Sequence, residues 1–180
     1  MHQDELDTAI EEYTRALALN PRDAEAYGNR GMAYYEKGDY EQAIDNLTRA
    51  IALDPTDPEA YSYRGNAYKE QGDLDRAIAD LTQAITIDPE YAEAYSDRGI
   101  VHYLRDELDQ AIADYDRAIT LEPQLVEAYN NRGSAYYDLG DLGQAIADYD
   151  RVIALDPEDA DAYYNRCLLY TSPSPRDQLQ

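Results

Sequence analysis

Residues 24–57 read AEAYGNRGMAYYEKGDYEQAIDNLTRAIALDPTD. Tyr27, Gly31 and Tyr34 stand four and three residues apart, the spacing that gathers side chains on one face of a helix. Gly38-Asp39 predicts the end of that helix and the start of another. Glycine accepts the left-handed conformation that closes a helix, and aspartate caps an N-terminus. Tyr40, Ala43, Ile44, Leu47, Ala50 and Ile51 then form one apolar stripe. The second helix is expected to stop at Leu53-Asp54-Pro55, because proline cannot continue it and disfavours helix in the residue before. The stretch predicts a helical hairpin.

The hairpin recurs. Prolines stand at Pro21, Pro55, Pro89, Pro123 and Pro157, each 34 residues after the last. Arg-Gly keeps the same step at Arg30-Gly31, Arg64-Gly65, Arg98-Gly99 and Arg132-Gly133, and Ala-Ile from Ala9-Ile10 to Ala145-Ile146. The turn returns as Gly72-Asp73 and Gly140-Asp141, but as Asp106-Glu107 in the third unit, which is therefore expected to be the least stable turn. A glycine inside a helix costs about 1 kcal/mol against alanine. Its repetition at Gly31, Gly65, Gly99 and Gly133 points to a steric need, the close approach of the unit's second helix. Full units are assigned to residues 24–57, 58–91, 92–125 and 126–159. A partial unit at 1–23 holds a second helix only, a further unit starts at 160–166, and 167–180 is read as a non-repeat tail.

Tyr61, Gly65, Tyr68, Ala77, Leu81, Ala84 and Pro89 occupy places 4, 8, 11, 20, 24, 27 and 32 of one unit. This pattern resembles the tetratricopeptide repeat (TPR). Arg at place 7, His102 at place 11 and Val152 at place 27 depart from it. The resemblance implies an all-α fold, a right-handed superhelix (solenoid) of helix-turn-helix repeats, acting as a scaffold that binds a protein or peptide and not as an enzyme.

Composition narrows the partners. Lys plus Arg is 15 and Asp plus Glu 38, a net charge of −23. Such a surface repels nucleic acid and anionic lipid and favours basic partners. No apolar run reaches the roughly 18 residues of a membrane span. One cysteine and an N-terminus without a basic or apolar signal lean towards a reducing, soluble compartment. The core must be built from Ala, Leu, Ile and Tyr, since there are 19 tyrosines and neither Phe nor Trp. No metal, cofactor or catalytic constellation is expected. Asp114 and Asp116, or Asp148 and Asp150, lie two apart and so point in different directions from a helix.

Two sets of residues carry functional expectations. Arg30, Arg64, Arg98, Arg132 and Arg166 should be partly buried and need partners; Asn46, Asp80, Asp114 and Asp148 recur at the matching place on second helices. In the family, first helices line the concave side. That implies a peptide-binding groove of Glu25, Tyr35, Glu59, Asn66, Lys69, Glu93, Tyr103, Glu127, Asn130 and Tyr137. Members that grip acidic tails use cations where this chain has Ser62, Glu127 and Asn131, and asparagines where it has Asn66 and Asp97, so the clamp's cations are missing. The expected ligand is a basic or amphipathic peptide or helix. Two alternatives stand beside it: the repeat region of a larger enzyme or signalling protein, and a repeat that self-associates end to end through uncapped helices.

Both ends read as cut. Met1 falls at place 12 of a unit. From Cys167 the repeat logic is lost, Pro173 and Pro175 oppose a second helix, and the string resembles one frame of a translated sequencing adapter.

Overall fold

A computed structural model describes residues 3–171. Among the described residues there are ten α-helices and no strand: α1 Gln3–Leu19, α2 Ala24–Glu36, α3 Tyr40–Leu53, α4 Pro58–Glu70, α5 Leu74–Ile87, α6 Ala92–Leu104, α7 Leu108–Leu121, α8 Val126–Leu139, α9 Leu142–Leu155 and α10 Ala160–Thr171. The architecture is an all-α helical repeat solenoid. It divides into two compact units, one up to Pro89 and one from Glu90. In the first unit each helix from α1 to α5 packs on the next, and α2 also touches α4. The second unit repeats the arrangement from α6 to α10, with α6 touching α8. None of the described helices is long and apolar enough to cross a membrane.

The core is small-residue packing at fixed register. Ala43, Leu47 and Ala50 of α3 are buried, as are Ala77, Leu81 and Ala84 of α5, Ala111, Tyr115 and Ala118 of α7, and Ala145, Tyr149 and Val152 of α9. Opposite them stand the helical glycines. A Cβ on Gly31 would lie 2.7 Å from Leu47 Cγ, and one on Gly65 2.9 Å from Leu81 Cγ. The second helix therefore closes to a distance that only glycine permits. On α1, by contrast, Ala9, Tyr13 and Ala16 stay half-exposed at the register where α3 buries Ala43, Leu47 and Ala50.

The turns show how one substitution is absorbed. Gly38, Gly72 and Gly140 have φ of 81°, 79° and 87°. Asp106 takes the same left-handed conformation at φ 60°. The backbone bonds survive: Asp106 N donates to Tyr103 O and Glu107 N to His102 O, both at 2.9 Å, as Gly38 N and Asp39 N donate to Tyr35 O and Tyr34 O. Asp39, Asp73 and Asp141 cap the helices that follow, each accepting from a backbone N–H three residues on. Glu107 makes no such cap. Its carboxylate instead lies 2.6 Å from His102 Nδ1. That hydrogen bond holds Glu107 below the usual carboxylate range, helped by Arg105 and opposed by desolvation.

The arginines form the expected ladder. Arg64 Nε and Nη2 donate to the two oxygens of Asp80 at 2.7 and 2.8 Å. Arg98 grips Asp114 at 2.8 and 2.7 Å, and Arg132 grips Asp148 at 2.9 and 2.6 Å. Arg30 Nε donates to Asn46 Oδ1 at 2.8 Å. A second set of contacts ties the same arginines to the preceding hairpin. Nη1 of Arg30 and Arg64 reaches Thr14 and Thr48, and Nη1 of Arg132 and Arg166 reaches Asp116 and Asp150. Each of these guanidiniums also lies over the tyrosine three residues earlier, Arg64 at 5.7 Å from the Tyr61 centroid. Burial pulls the Arg64 pKa down most strongly, but the hydrogen bond and the charge of Asp80, with Tyr68 and Tyr61, together more than offset it, so the group stays charged.

At the far end, α10 runs through Cys167 to Thr171, with Ala162 and Leu169 buried and Cys167 exposed. The prolines Pro173 and Pro175 lie outside the described residues.

Candidate peptide-binding faces

In the first unit, α2 and α4 present Glu25 and Glu59 as exposed side chains at the same place of successive repeats. Tyr35 is half-buried, its ring 5.6 Å from Tyr63 edge-on and 5.7 Å from Tyr40. Asn66 is buried, at 9% exposure, so it belongs more to the packing than to the surface. Lys69 Nζ sits 3.4 Å from Glu70 Oε1, and only 15% of its side chain is exposed. An opening of about 240 Å³ lies nearby, lined by Leu6, Ala9, Tyr13, Asn29, Met32, Ala33, Glu36 and Tyr63.

In the second unit, Glu93 and Glu127 are exposed on α6 and α8, and Asn130 is half-buried. Tyr103 and Tyr137 share a cavity of about 250 Å³ with Ser134, Asp138, Tyr149, Asn165, Leu168 and Leu169. The Tyr103 hydroxyl donates to Asp138 Oδ2 at 2.5 Å. The Tyr149 hydroxyl and Ser134 Oγ are 3.2 Å apart. Burial pushes the Tyr103 phenol well above its ordinary pKa, and the bond to the Asp138 carboxylate adds to this. Burial raises Tyr149 as well, against the opposing hydrogen bond from Ser134. Both phenols therefore stay neutral near neutral pH, and Asp138 is the one carboxylate among the cavity's lining residues.

Tyr103 and Tyr137 line one cavity, as their shared place in the repeat implies. Register gives no sign of Tyr149, which occupies a core place on α9, nor of Leu168 and Leu169, where the sequence no longer keeps the repeat pattern. One signal was available for Tyr149: a tyrosine at a buried place needs a partner for its hydroxyl, whereas Leu47 and Leu81 at that place do not. Among the described residues no three His, Cys, Asp or Glu side chains are grouped to hold a metal ion.

A family model described as TPR repeat matches residues 1–38, 31–72, 65–105, 101–140 and 133–171. The chain belongs to the tetratricopeptide-repeat family. Solved TPR structures resemble this one closely. A crystal structure of MamA is 30% identical with a TM-score of 0.79, over 88% of this chain and 92% of that one. YrrB, described as a TPR protein with an unusual peptide-binding site, is 26% identical with a TM-score of 0.75, over 90% and 84% of the two chains. The first TPR of Spaghetti (RPAP3), bound to the HSP90 peptide SRMEEVD, is 31% identical with a TM-score of 0.63, over 65% and 93%. No curated protein matches the chain.

Proposed function

We propose that this TPR chain is a protein-interaction module whose first helices bind a basic or amphipathic peptide. The observation that carries this is the acidic register: Glu25 and Glu59 in one unit, and Glu93 and Glu127 in the other, are all exposed at the same place of a first helix. Tyr35, Tyr103 and Tyr137 accompany them at a second shared place, and tyrosine faces supply contact area and attract cations. The peptide in the Spaghetti structure carries acidic residues; acidic faces of this kind repel such a ligand and select its opposite.

Fluorescence anisotropy with a labelled amphipathic Lys/Leu helix and its Glu/Leu counterpart tests the reading. The basic peptide is expected to bind, more weakly as salt rises, and the acidic one not to. Binding of the acidic peptide that is insensitive to salt would overturn it. A second reading, association between copies through α1, is supported by the half-exposed Ala9, Tyr13 and Ala16 stripe. Light scattering across a dilution series decides it: a monomer mass at every concentration removes that reading.

A further inference from the structure

We propose that the open cavity lined by α6, α8, α9 and α10 is a socket for a single lysine side chain of the bound peptide; this deepens the peptide-binding reading and rests on it. Three phenol rings, Tyr103, Tyr137 and Tyr149, line it together with the Asp138 carboxylate. Aromatic faces attract ammonium groups electrostatically. The volume of about 250 Å³ is several times the roughly 30 Å³ that a water takes up in the liquid, enough for an alkylammonium chain. Leu168 and Leu169 supply apolar surface for the methylene stem.

Among the described residues this half-buried carboxylate has no ion-pair partner. Among the described residues Asp138 has one hydrogen-bond partner, the Tyr103 hydroxyl, and a neutral phenol leaves the full negative charge in place. The repeat itself shows what balances that charge elsewhere. Two repeats upstream, the places of Tyr103, Tyr137, Asp138 and Tyr149 hold Tyr35, Lys69, Glu70 and Leu81. There the chain brings its own ammonium, Lys69, 3.4 Å from Glu70. In the second unit tyrosine replaces the lysine and the acid is kept, so the cation comes from a guest. Lysine suits the site better than arginine. One Asp138 oxygen is already engaged by Tyr103, which leaves a single-point contact and not the two-oxygen face a guanidinium grips.

The test uses the full chain with ¹³C-labelled tyrosine rings, titrated with n-butylammonium chloride, and with n-butanol and sodium chloride as controls. The ring signals of Tyr103, Tyr137 and Tyr149 are expected to shift with butylammonium and not with either control. Asp138→Asn is expected to weaken the response about tenfold. Tyr137→Lys, which copies the upstream arrangement, is expected to abolish it with helicity unchanged. Equal shifts with butanol, or an undiminished response in Asp138→Asn, would overturn the socket. A basic peptide whose affinity survives replacement of every lysine by arginine would also overturn it, while leaving the peptide-binding reading intact. A butylammonium response without any peptide binding would sink that reading alone.

Discussion

Gly99 and Tyr115 are packed so closely that a Cβ on the glycine would lie 2.6 Å from Tyr115 Cε1. Tyr115 is itself buried, at 1% exposure, and has no room to retreat. Gly99→Ala is therefore expected to destabilise the chain by about 1–2 kcal/mol, the overpacking cost exceeding the helix-propensity gain. Gly28 sits in a helix too, but its nearest neighbour would be 3.9 Å away. Gly28→Ala is expected to gain about 0.5–1 kcal/mol. Urea denaturation of both variants checks the opposite signs.

Arg64 and Asp80 are largely buried, 16% and 11% exposed. Removing one partner leaves an uncompensated charge, so Arg64→Leu is expected to lose about 3 kcal/mol. The double variant Arg64→Leu/Asp80→Leu removes both charges and should recover most of the loss. A double-mutant cycle by chemical denaturation measures the coupling. An Arg64→Leu protein as stable as the parent would show that the ladder adds nothing.

The His102 contact lowers the pKa of Glu107 in the folded state, against desolvation and with help from Arg105. A depressed folded pKa gives stability that is present above the unfolded value, about 4.3 for glutamate. It is lost as pH falls through the folded value. Glu107→Gln should accordingly flatten the decline of Tm on the acid side of about pH 4.3. Thermal melts read by circular dichroism across that range provide the check.

Asp106 holds φ at 60° where the other turns have glycine. A side chain in the left-handed region costs roughly 1 kcal/mol, so Asp106→Gly is expected to stabilise by up to that amount. Gly72→Asp is expected to destabilise similarly. Differential scanning calorimetry of the pair should give shifts of opposite sign.

Much of this was legible in the primary structure. Arg98 could be matched to Asp114 because both recur with the repeat, one beside the glycine of the first helix and one on the second. The contacts of Arg64 to Thr48 and of Arg132 to Asp116 were not legible. They join a first helix to the hairpin before it, and depend on how far neighbouring hairpins slide along one another. The exposed glutamates could be placed by register alone. The cavity around Asp138 could not, because it draws on four helices and on Tyr149, a side chain whose periodicity says only that it is buried.

The sequence by itself determined the helical hairpins, most of their turns and the family, since helical period, glycine-aspartate turns and proline stops act over a few residues and recur every 34 residues. Tertiary structure alone decided which polar groups meet between successive hairpins. That Tyr103 reaches Asp138 on the next first helix follows from packing distances that no spacing in the chain encodes. Local pattern sets which face turns inward; only the assembled stack sets what each face finds there.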